Sequence, residues 1–153
     1  GSLLLKQIRD KGITSIYVGS SGVDTAELVN IAGKENAVGA YYISSSPAFD
    51  SSEKLQSWVD AYQQTSGLTA DGYAIYFYEA ATVALQSLAD AIDAAGGKPT
   101  RAQVVEAMAG VQVESITGTF QFDEKGDNRN AKAYAYEIVD GYPGKMVGEL
   151  TGA

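Results

Sequence analysis

The chain has 153 residues, 45% of them hydrophobic and 20% charged, which predicts one globular domain with a substantial core. Its 11 basic and 19 acidic residues give a formal net charge of −8, which argues against binding to nucleic acid or to anionic membrane surfaces. Cysteine and histidine are absent, which excludes disulfides, thiolate nucleophiles and Cys/His zinc sites and removes the most frequent general base.

The first predicted element is a short helix. Leu3 to Lys11 (LLLKQIRDK) carries leucine and isoleucine at helical spacing, and Gly12 follows as a stop signal. Gly1-Ser2 is expected to be a remnant of cloning. No apolar run in the sequence reaches the length of a membrane span, so membrane insertion is not expected, and neither is a signal peptide.

The next stretch predicts a strand, a turn and a helix. Ile13 to Val18 is rich in β-branched and aromatic residues and predicts a buried strand, and Gly19 to Gly22 predicts a tight turn. Asp24 is expected to cap the following helix, which Gly33 ends in a left-handed conformation. Because open α/β sheets bind ligands at the carboxyl ends of their strands, this turn is the first candidate site.

A second strand and an amphipathic helix come next. Ala37 to Ile43 predicts the strand, and a serine-rich loop leaves it. Asp50 to Thr65 has apolar residues at helical spacing, with Asp50 as the expected cap and Gly67 as the end of the helix.

The longest predicted helix is Asp71 to Ala95, which is so apolar that burial on more than one side is expected. Thr100 to Gly110 predicts a compact helix that opens with a capping box. The pattern then changes to alternation, which predicts the strands Gly118 to Phe122, Ala133 to Val139 and Lys145 to Leu150. Strands alternating with helices, followed by a β-rich tail, indicate an α/β fold with antiparallel strands at one edge.

The turn Gly19-Ser20-Ser21-Gly22 has several interpretations. It does not fit the spacing of a hydrolase nucleophile elbow, and the chain has no histidine to act as a base. It can instead hold a phosphate or carboxylate at a helix N-terminus, although Asp24 would repel an anion there. A purely structural turn is an equal alternative. Asp123 to Asp127 resembles a calcium loop but lacks the alternating acids, which favours a solvated turn and no metal.

Tyrosines near the same region are the other candidates. The long helix opens with an aromatic cluster that is typical of a core, although tyrosine also lines small-molecule sites. Tyr73 lies at the start of that helix, and Tyr41 and Tyr42 lie near the carboxyl end of the second strand. Tyr73 and Tyr42 are therefore candidates to face a cleft.

Three segments in this order resemble a known family: VGSSGVDTAELVNIAGKENAVGAYY, GYAIYFYEAATVALQSLADAI and ITGTFQFDEKGDNRNAKAYAYEIVDG. They are similar to the carboxyl-terminal half of type I periplasmic solute-binding proteins, in particular the branched-chain amino-acid (Leu/Ile/Val) receptors of ABC importers. The resemblance covers nearly the whole chain from Leu3. It implies an open three-layer lobe with a mostly parallel sheet and antiparallel strands near the C-terminus.

The resemblance also implies a two-lobed, hinged parent protein of roughly twice this length. Residues 3–46 and 123–153 would belong to the second lobe, and residues 47–122, with the long helix, partly to the first. The rest of the first lobe would then come from a missing segment or from a second copy of the chain.

The resemblance places the ligand at the Gly19 to Gly22 turn, where the family holds the ligand ammonium with an acidic side chain. The matching residue here is Ser21, so Asp24 is the acid that would substitute for it. Tyr73 matches an aromatic wall beside the ligand. The expected ligand-binding residues are Ser20, Ser21, Gly22 and Tyr73, followed by Asp24 and Tyr42.

These observations predict a non-catalytic module that binds an amino acid or a similar small polar solute, without a cofactor. The parent protein is expected to be periplasmic or extracytoplasmic and to deliver its solute to an ABC importer permease. Three alternatives remain open: a flavodoxin-like phosphate- or flavin-binding module, an enzyme that uses carboxylates, and a scaffold fragment without a ligand.

Overall fold

A computed structural model describes residues 1–150. The chain divides into two compact units, one formed by residues 1–74 and 132–150 and the other by residues 75–131. In chain order the elements are α1 (Ser2–Asp10), β1 (Val18–Gly19), a 3-10 turn (Ser21–Val23), α2 (Glu27–Ala32), α3 (Lys34–Ala37), β2 (Tyr41–Ser44), α4 (Glu53–Ser66), α5 (Gly72–Ala95), α6 (Arg101–Gly110), β3 (Gln112–Glu114), β4 (Thr119–Gln121), β5 (Ala133–Glu137) and β6 (Lys145–Leu150).

The first unit is built on a four-stranded sheet in the order β1-β2-β5-β6. β1 runs parallel to β2, with Val18 opposite Tyr41, whereas β5 pairs antiparallel with both β2 and β6. The predicted α/β class, with antiparallel strands near the C-terminus, is confirmed. Because β1 and β2 are parallel, their carboxyl ends at Gly19 and Ser44 lie at the same edge of the sheet.

The core of this unit lies on one face of that sheet. Tyr42 on β2 and Tyr136 on β5 are buried there, since alternate residues of a strand point to the same face. Leu5 of α1 and Leu28 of α2 are fully buried in the same cluster. The helices α1 and α2 are thus held to the sheet through their apolar faces.

The second unit contains most of α5, then α6 and a small antiparallel sheet of β3 and β4. Val83 of α5 packs with Val111 and Val113, and Phe120 and Phe122 pack against this cluster. The predicted capping box of α6 is present: the Thr100 Oγ accepts a hydrogen bond from the Gln103 N–H, and the Gln103 side chain accepts one from the Thr100 N–H.

The buried strand predicted for Ile13 to Val18 is wrong. Only Val18 of this stretch lies in a strand, and Ile16 is 77% exposed. Within residues 1–150, β1 lies at the edge of the sheet and has a partner on one side only. The β-branched residues before it therefore extend along the surface instead of pairing.

Two element boundaries also differ from the prediction. Ala37 ends the short helix α3, and a turn with positive φ at Gly39 precedes β2, so the strand begins only at Tyr41. The cap of α4 is Ser52, not Asp50, because the Ser52 Oγ accepts the Leu55 N–H at 3.2 Å. Gly67 ends α4, as predicted, and adopts the left-handed conformation.

The expectation that the long helix is buried on more than one side is also wrong for the described residues. Ile75, Val83 and Ala91 of α5 are buried. The remaining faces carry large exposed apolar side chains, with Phe77 74% exposed. Apolar composition alone does not show which helix faces are covered.

Candidate functional site

The turn after β1 presents polar groups to solvent. Ser20 begins the 3-10 turn, and its Oγ accepts the Gly22 N–H at 3.4 Å. Ser20, Ser21 and Gly22 are exposed, whereas Val23 points into the core. The turn is therefore anchored by a buried valine and exposes two serine residues and a glycine at the carboxyl end of β1.

Tyr73 lies directly beside this turn. A Cβ added to Gly22 would lie 4.0 Å from the Tyr73 hydroxyl and 3.5 Å from the Ser20 Oγ. Tyr73 itself is 39% exposed. We call Ser20, Ser21 and Gly22 the serine turn; together with Tyr73 they form one exposed polar surface, which holds four of the six residues proposed from the sequence.

Asp24 has a different environment. It is 3% exposed, and its carboxylate accepts the Ser44 hydroxyl at 2.5 Å and the Tyr142 hydroxyl at 3.1 Å. The prediction that Asp24 caps a helix is wrong, because α2 begins only at Glu27 and its N-cap residue is Ala26. Asp24 instead joins β2 to the loop between β5 and β6.

Burial raises the pKa of Asp24 above its ordinary value of 3.8. The hydrogen bonds from Ser44 and Tyr142 act in the opposite direction, and the nearby charge of Asp71 raises the pKa further. Within residues 1–150, Asp24 makes no ion pair. The structure thus holds a buried carboxyl group whose hydrogen-bond donors are both uncharged.

The start of α5 packs closely on this carboxylate. A Cβ at Gly72 would lie 2.0 Å from the Asp24 Oδ2, so only glycine fits there. Asp71 accepts the Ala74 N–H at 2.8 Å and so caps α5. The Gly72 N–H donates to the Tyr142 hydroxyl oxygen, and burial raises the pKa of this tyrosine.

Tyr42 is a core residue. It is almost fully buried, its ring stacks on Tyr136 at 5.1 Å between centroids, and its hydroxyl accepts the Gly144 N–H at 3.1 Å. Tyr42 and Asp24 nevertheless both line a cavity of about 590 Å³ in the first unit, whereas the residues of the serine turn are not among the lining residues within positions 1–150. The six residues proposed from sequence therefore fall into two groups.

Sequence reasoning missed Tyr142. The segment Asp140 to Gly144 reads only as a turn, because aspartate, glycine and proline dominate it. An aromatic residue inside such a turn was the one available signal.

The described residues hold no group of three acidic side chains placed to bind a metal ion, and none of their helices is long and apolar enough to cross a bilayer.

Replacing Asp24 with asparagine is expected to change how stability depends on pH. Because the folded protein binds the Asp24 proton more tightly than the unfolded chain does, wild-type stability falls as pH rises from 3.8 through the raised pKa. Asp24→Asn lacks this decline, so its stability relative to wild type should increase with pH over that range. Urea unfolding followed by the fluorescence of Trp58, the one tryptophan, measures the difference.

Asp140 provides a control of opposite sign in the same unit. Lys34 donates a hydrogen bond to it at 2.5 Å and lowers its pKa, so wild type should lose stability relative to Asp140→Asn as pH falls through that pKa. If the stability difference between Asp24→Asn and wild type did not vary with pH, the raised pKa of Asp24 would be contradicted.

The family model and the relatives that match this chain are all of one kind, periplasmic or amino-acid-binding proteins. The sequence model of a family described as periplasmic binding protein matches residues 1–143. The leucine-, isoleucine-, valine-, threonine- and alanine-binding protein of Pseudomonas aeruginosa is 30% identical over 135 residues, which are 88% of this chain and 34% of that protein. The Leu/Ile/Val-binding protein homolog 1 of Brucella suis is 28% identical over 146 residues, covering 94% of this chain and 37% of that protein.

Solved structures show the same fold. The leucine-binding protein LivK of Thermotoga maritima superposes with a TM-score of 0.79 at 22% identity, covering 98% of this chain and 41% of that one. A second structure is the branched-chain amino acid transporter substrate-binding protein LivJ of Streptococcus pneumoniae, solved with isoleucine. It gives a TM-score of 0.73 at 24% identity, covering 95% of this chain and 39% of that one. The chain spans about a third of the length of the curated relatives it matches.

Proposed function

Because the chain belongs to the periplasmic binding protein family, we propose that it binds an amino acid or a similar small polar solute without catalysing a reaction on it. The serine turn is the proposed contact surface. Binding would take place outside the cytoplasm, and the solute would pass to an ABC importer permease. The names of the relatives support this proposal, since one is a leucine-, isoleucine-, valine-, threonine- and alanine-binding protein and the other is named as a homolog of a Leu/Ile/Val-binding protein.

One observation carries the proposal: the exposed serine turn lies against the hydroxyl of Tyr73 at the carboxyl end of β1. Two serine hydroxyls and a phenol offer donors and acceptors without a fixed charge. Such a set suits a polar solute that carries both charges or none. A half-exposed aromatic ring beside it can exclude water from one side of the bound solute.

The proposal also assigns parts of the chain to the two lobes of the parent protein, which together would hold the ligand. Residues 3–46 and 123–153 would form one lobe with the serine turn, and residues 47–122 would contribute to the other. A further segment of the parent protein, or a second copy of this chain, would supply the facing contacts. Asp24 and Tyr42 would support the turn from the interior, since both are buried.

Calorimetric titration of the chain with a panel of amino acids tests this function. At least one amino acid should produce heat, and Ser21→Ala should weaken its binding about twofold to tenfold, the equivalent of one hydrogen bond. Ser57→Ala, an exposed serine of α4 away from the turn, should bind like wild type. Absence of heat with every amino acid, or equal binding by Ser21→Ala and wild type, would contradict the proposal.

A further inference from the structure

Helix α5 carries an apolar face that the described residues leave open to solvent. The face is a row of exposed apolar residues at helical spacing, with one more leucine beside the row. The row is Phe77, Ala81, Ala84, Leu88 and Ala95, and the residue beside it is Leu85. Residues three, four or seven positions apart lie on the same side of a helix. We call these six residues the α5 face, which extends for about 27 Å along the helix.

The charged residues of α5 lie away from this face. Glu79, Asp90 and Asp93 are on the opposite side of the helix, together with Gln86, as the turn of 3.6 residues places them. Between Gly72 and Ala95 the helix contains no lysine or arginine. The α5 face therefore offers no charged group that could select a charged partner, and a second apolar helix can approach it without burying a charge.

Two copies of the α5 face match each other when the helices run antiparallel. With the twofold axis near Leu85 and Gln86, Leu88 lies opposite Ala84 of the second copy, and Phe77 lies opposite Ala95. Each large side chain thus meets a small one, which allows two helices to pack closely. Leu85 lies next to the axis and meets its own counterpart. Each of these contacts occurs twice, as a symmetric dimer interface requires.

The size of the face corresponds to a weak dimer. Phe77 is 74% exposed, Leu85 66% and Leu88 40%. With the alanines they expose on the order of 500 Å² per copy, a large apolar patch for a monomer. Two copies would bury on the order of 1,000 Å² in total, which is typical of transient association. The net charge of −8 on each chain opposes dimerisation, so salt should strengthen it by screening.

We propose that two copies of this chain associate through the α5 face as an antiparallel, twofold symmetric helix pair. The occupant is a second copy because the large and small residues of the face match their own sequence in this register and because no charge on the face has to be paired. The inference goes beyond the proposed function. No residue of the serine turn belongs to the α5 face, so dimerisation and solute binding are tested independently.

Size-exclusion chromatography with light scattering tests the dimer, on wild type from about 10 μM to about 1 mM without solute. The measured mass should rise from that of one chain towards twice that mass, and more steeply at high salt. Leu85→Lys should raise the dissociation constant about tenfold or more, because it removes a buried leucine and puts a charge at the axis. Gln86→Lys adds the same charge on the opposite side of α5 and should change the constant less than about twofold.

A single introduced cysteine tests the register, because the chain has no cysteine of its own. At a helix separation of about 8–10 Å the two Cα atoms at position 85 lie within the roughly 7 Å that a disulfide can span. Leu85→Cys should therefore form a covalent dimer on oxidation. Gln86→Cys, on the far side of each helix, should remain monomeric.

Three results overturn the proposal. The first is a monomer at about 1 mM, which would leave the α5 face to other partners. The second is a dimer that Leu85→Lys and Gln86→Lys affect equally, which would place the interface elsewhere on the chain. The third is equal crosslinking of Leu85→Cys and Gln86→Cys, which would indicate random collision. If Leu85→Lys does not fold, the comparison of the two cysteine variants still decides the proposal.

Discussion

Leu5→Ala is expected to lower the free energy of unfolding by about 2–5 kcal/mol, the range for a buried leucine truncated to alanine. Leu5 is 0% exposed and packs in the core with Leu28, Tyr42 and Ile138. The lost methyl groups would leave a cavity between α1, α2 and the sheet, because sheet residues such as Tyr42 are held by hydrogen bonds and cannot close it. Urea unfolding followed by Trp58 fluorescence measures the loss.

Leu4→Ala is the matched control on the same helix. Leu4 is 54% exposed, so its truncation removes little buried surface and should change stability by less than about 0.5 kcal/mol. The two substitutions have equal effects on helix propensity, and the difference between them therefore reports burial alone. Equal losses for Leu4→Ala and Leu5→Ala would show that α1 does not pack on the sheet as described.

Gly72→Ala is expected to cost about 1–3 kcal/mol, although alanine is the better helix former. The new Cβ would lie 2.0 Å from the Asp24 Oδ2 and 2.9 Å from its Cγ, so either α5 or the buried carboxylate must move. The carboxylate cannot move without breaking its hydrogen bonds to Ser44 and Tyr142. The loss of stability should therefore include part of the free energy that these two hydrogen bonds contribute.

Gly141→Ala is the control for this effect, because a Cβ there would have no atom within 4 Å and the position needs no positive φ. It should change stability by less than about 0.5 kcal/mol. A second arm repeats Gly72→Ala in an Asp24→Ala background, where the clashing carboxylate is gone and the cost should be much smaller. If Gly72→Ala costs the same in both backgrounds, the close contact with Asp24 is not the reason for glycine at this position.

Much of the fold was predictable because local signals agreed with tertiary packing. Thr100 and Gln103 form the capping box that their spacing predicts, and β6 spans Lys145 to Leu150 as the alternation predicts. The resemblance to type I periplasmic binding proteins is confirmed by the family match and by TM-scores of 0.73 and 0.79. Caps, turns and periodicity act within a few residues, so the sequence shows them directly.

The errors have a common physical cause, which is that burial depends on neighbours far along the chain. Ile16 has the residue type of a buried strand but is exposed, because it lies beyond the two residue pairs that join β1 to β2. Phe77 on α5 is also exposed, although its residue type is typical of a core. Neither result follows from periodicity within the segment.

Only part of the candidate site was predictable, because some of its contacts join residues that are far apart in the chain. The serine turn follows from the strand–turn pattern, and Tyr73 was placed beside it through the family resemblance. The environment of Asp24 was not predictable, because its partners lie 20 and 118 residues away, at Ser44 and Tyr142. Asp24, which the sequence pattern predicts to be a helix cap, is therefore a buried carboxyl group that accepts hydrogen bonds from two hydroxyl groups.

The most direct test of solute binding at the serine turn is to record the backbone amide signals of the isotope-labelled chain during titration with amino acids to about 10 mM, which detects millimolar dissociation constants. The account predicts that at least one amino acid shifts the amides of Ser20, Ser21 and Gly22 together with Tyr73, in a saturable manner, and more strongly than amides of α4. If no amino acid shifts these four signals, or if shifts appear only elsewhere in the chain, the serine turn is not a solute-binding surface.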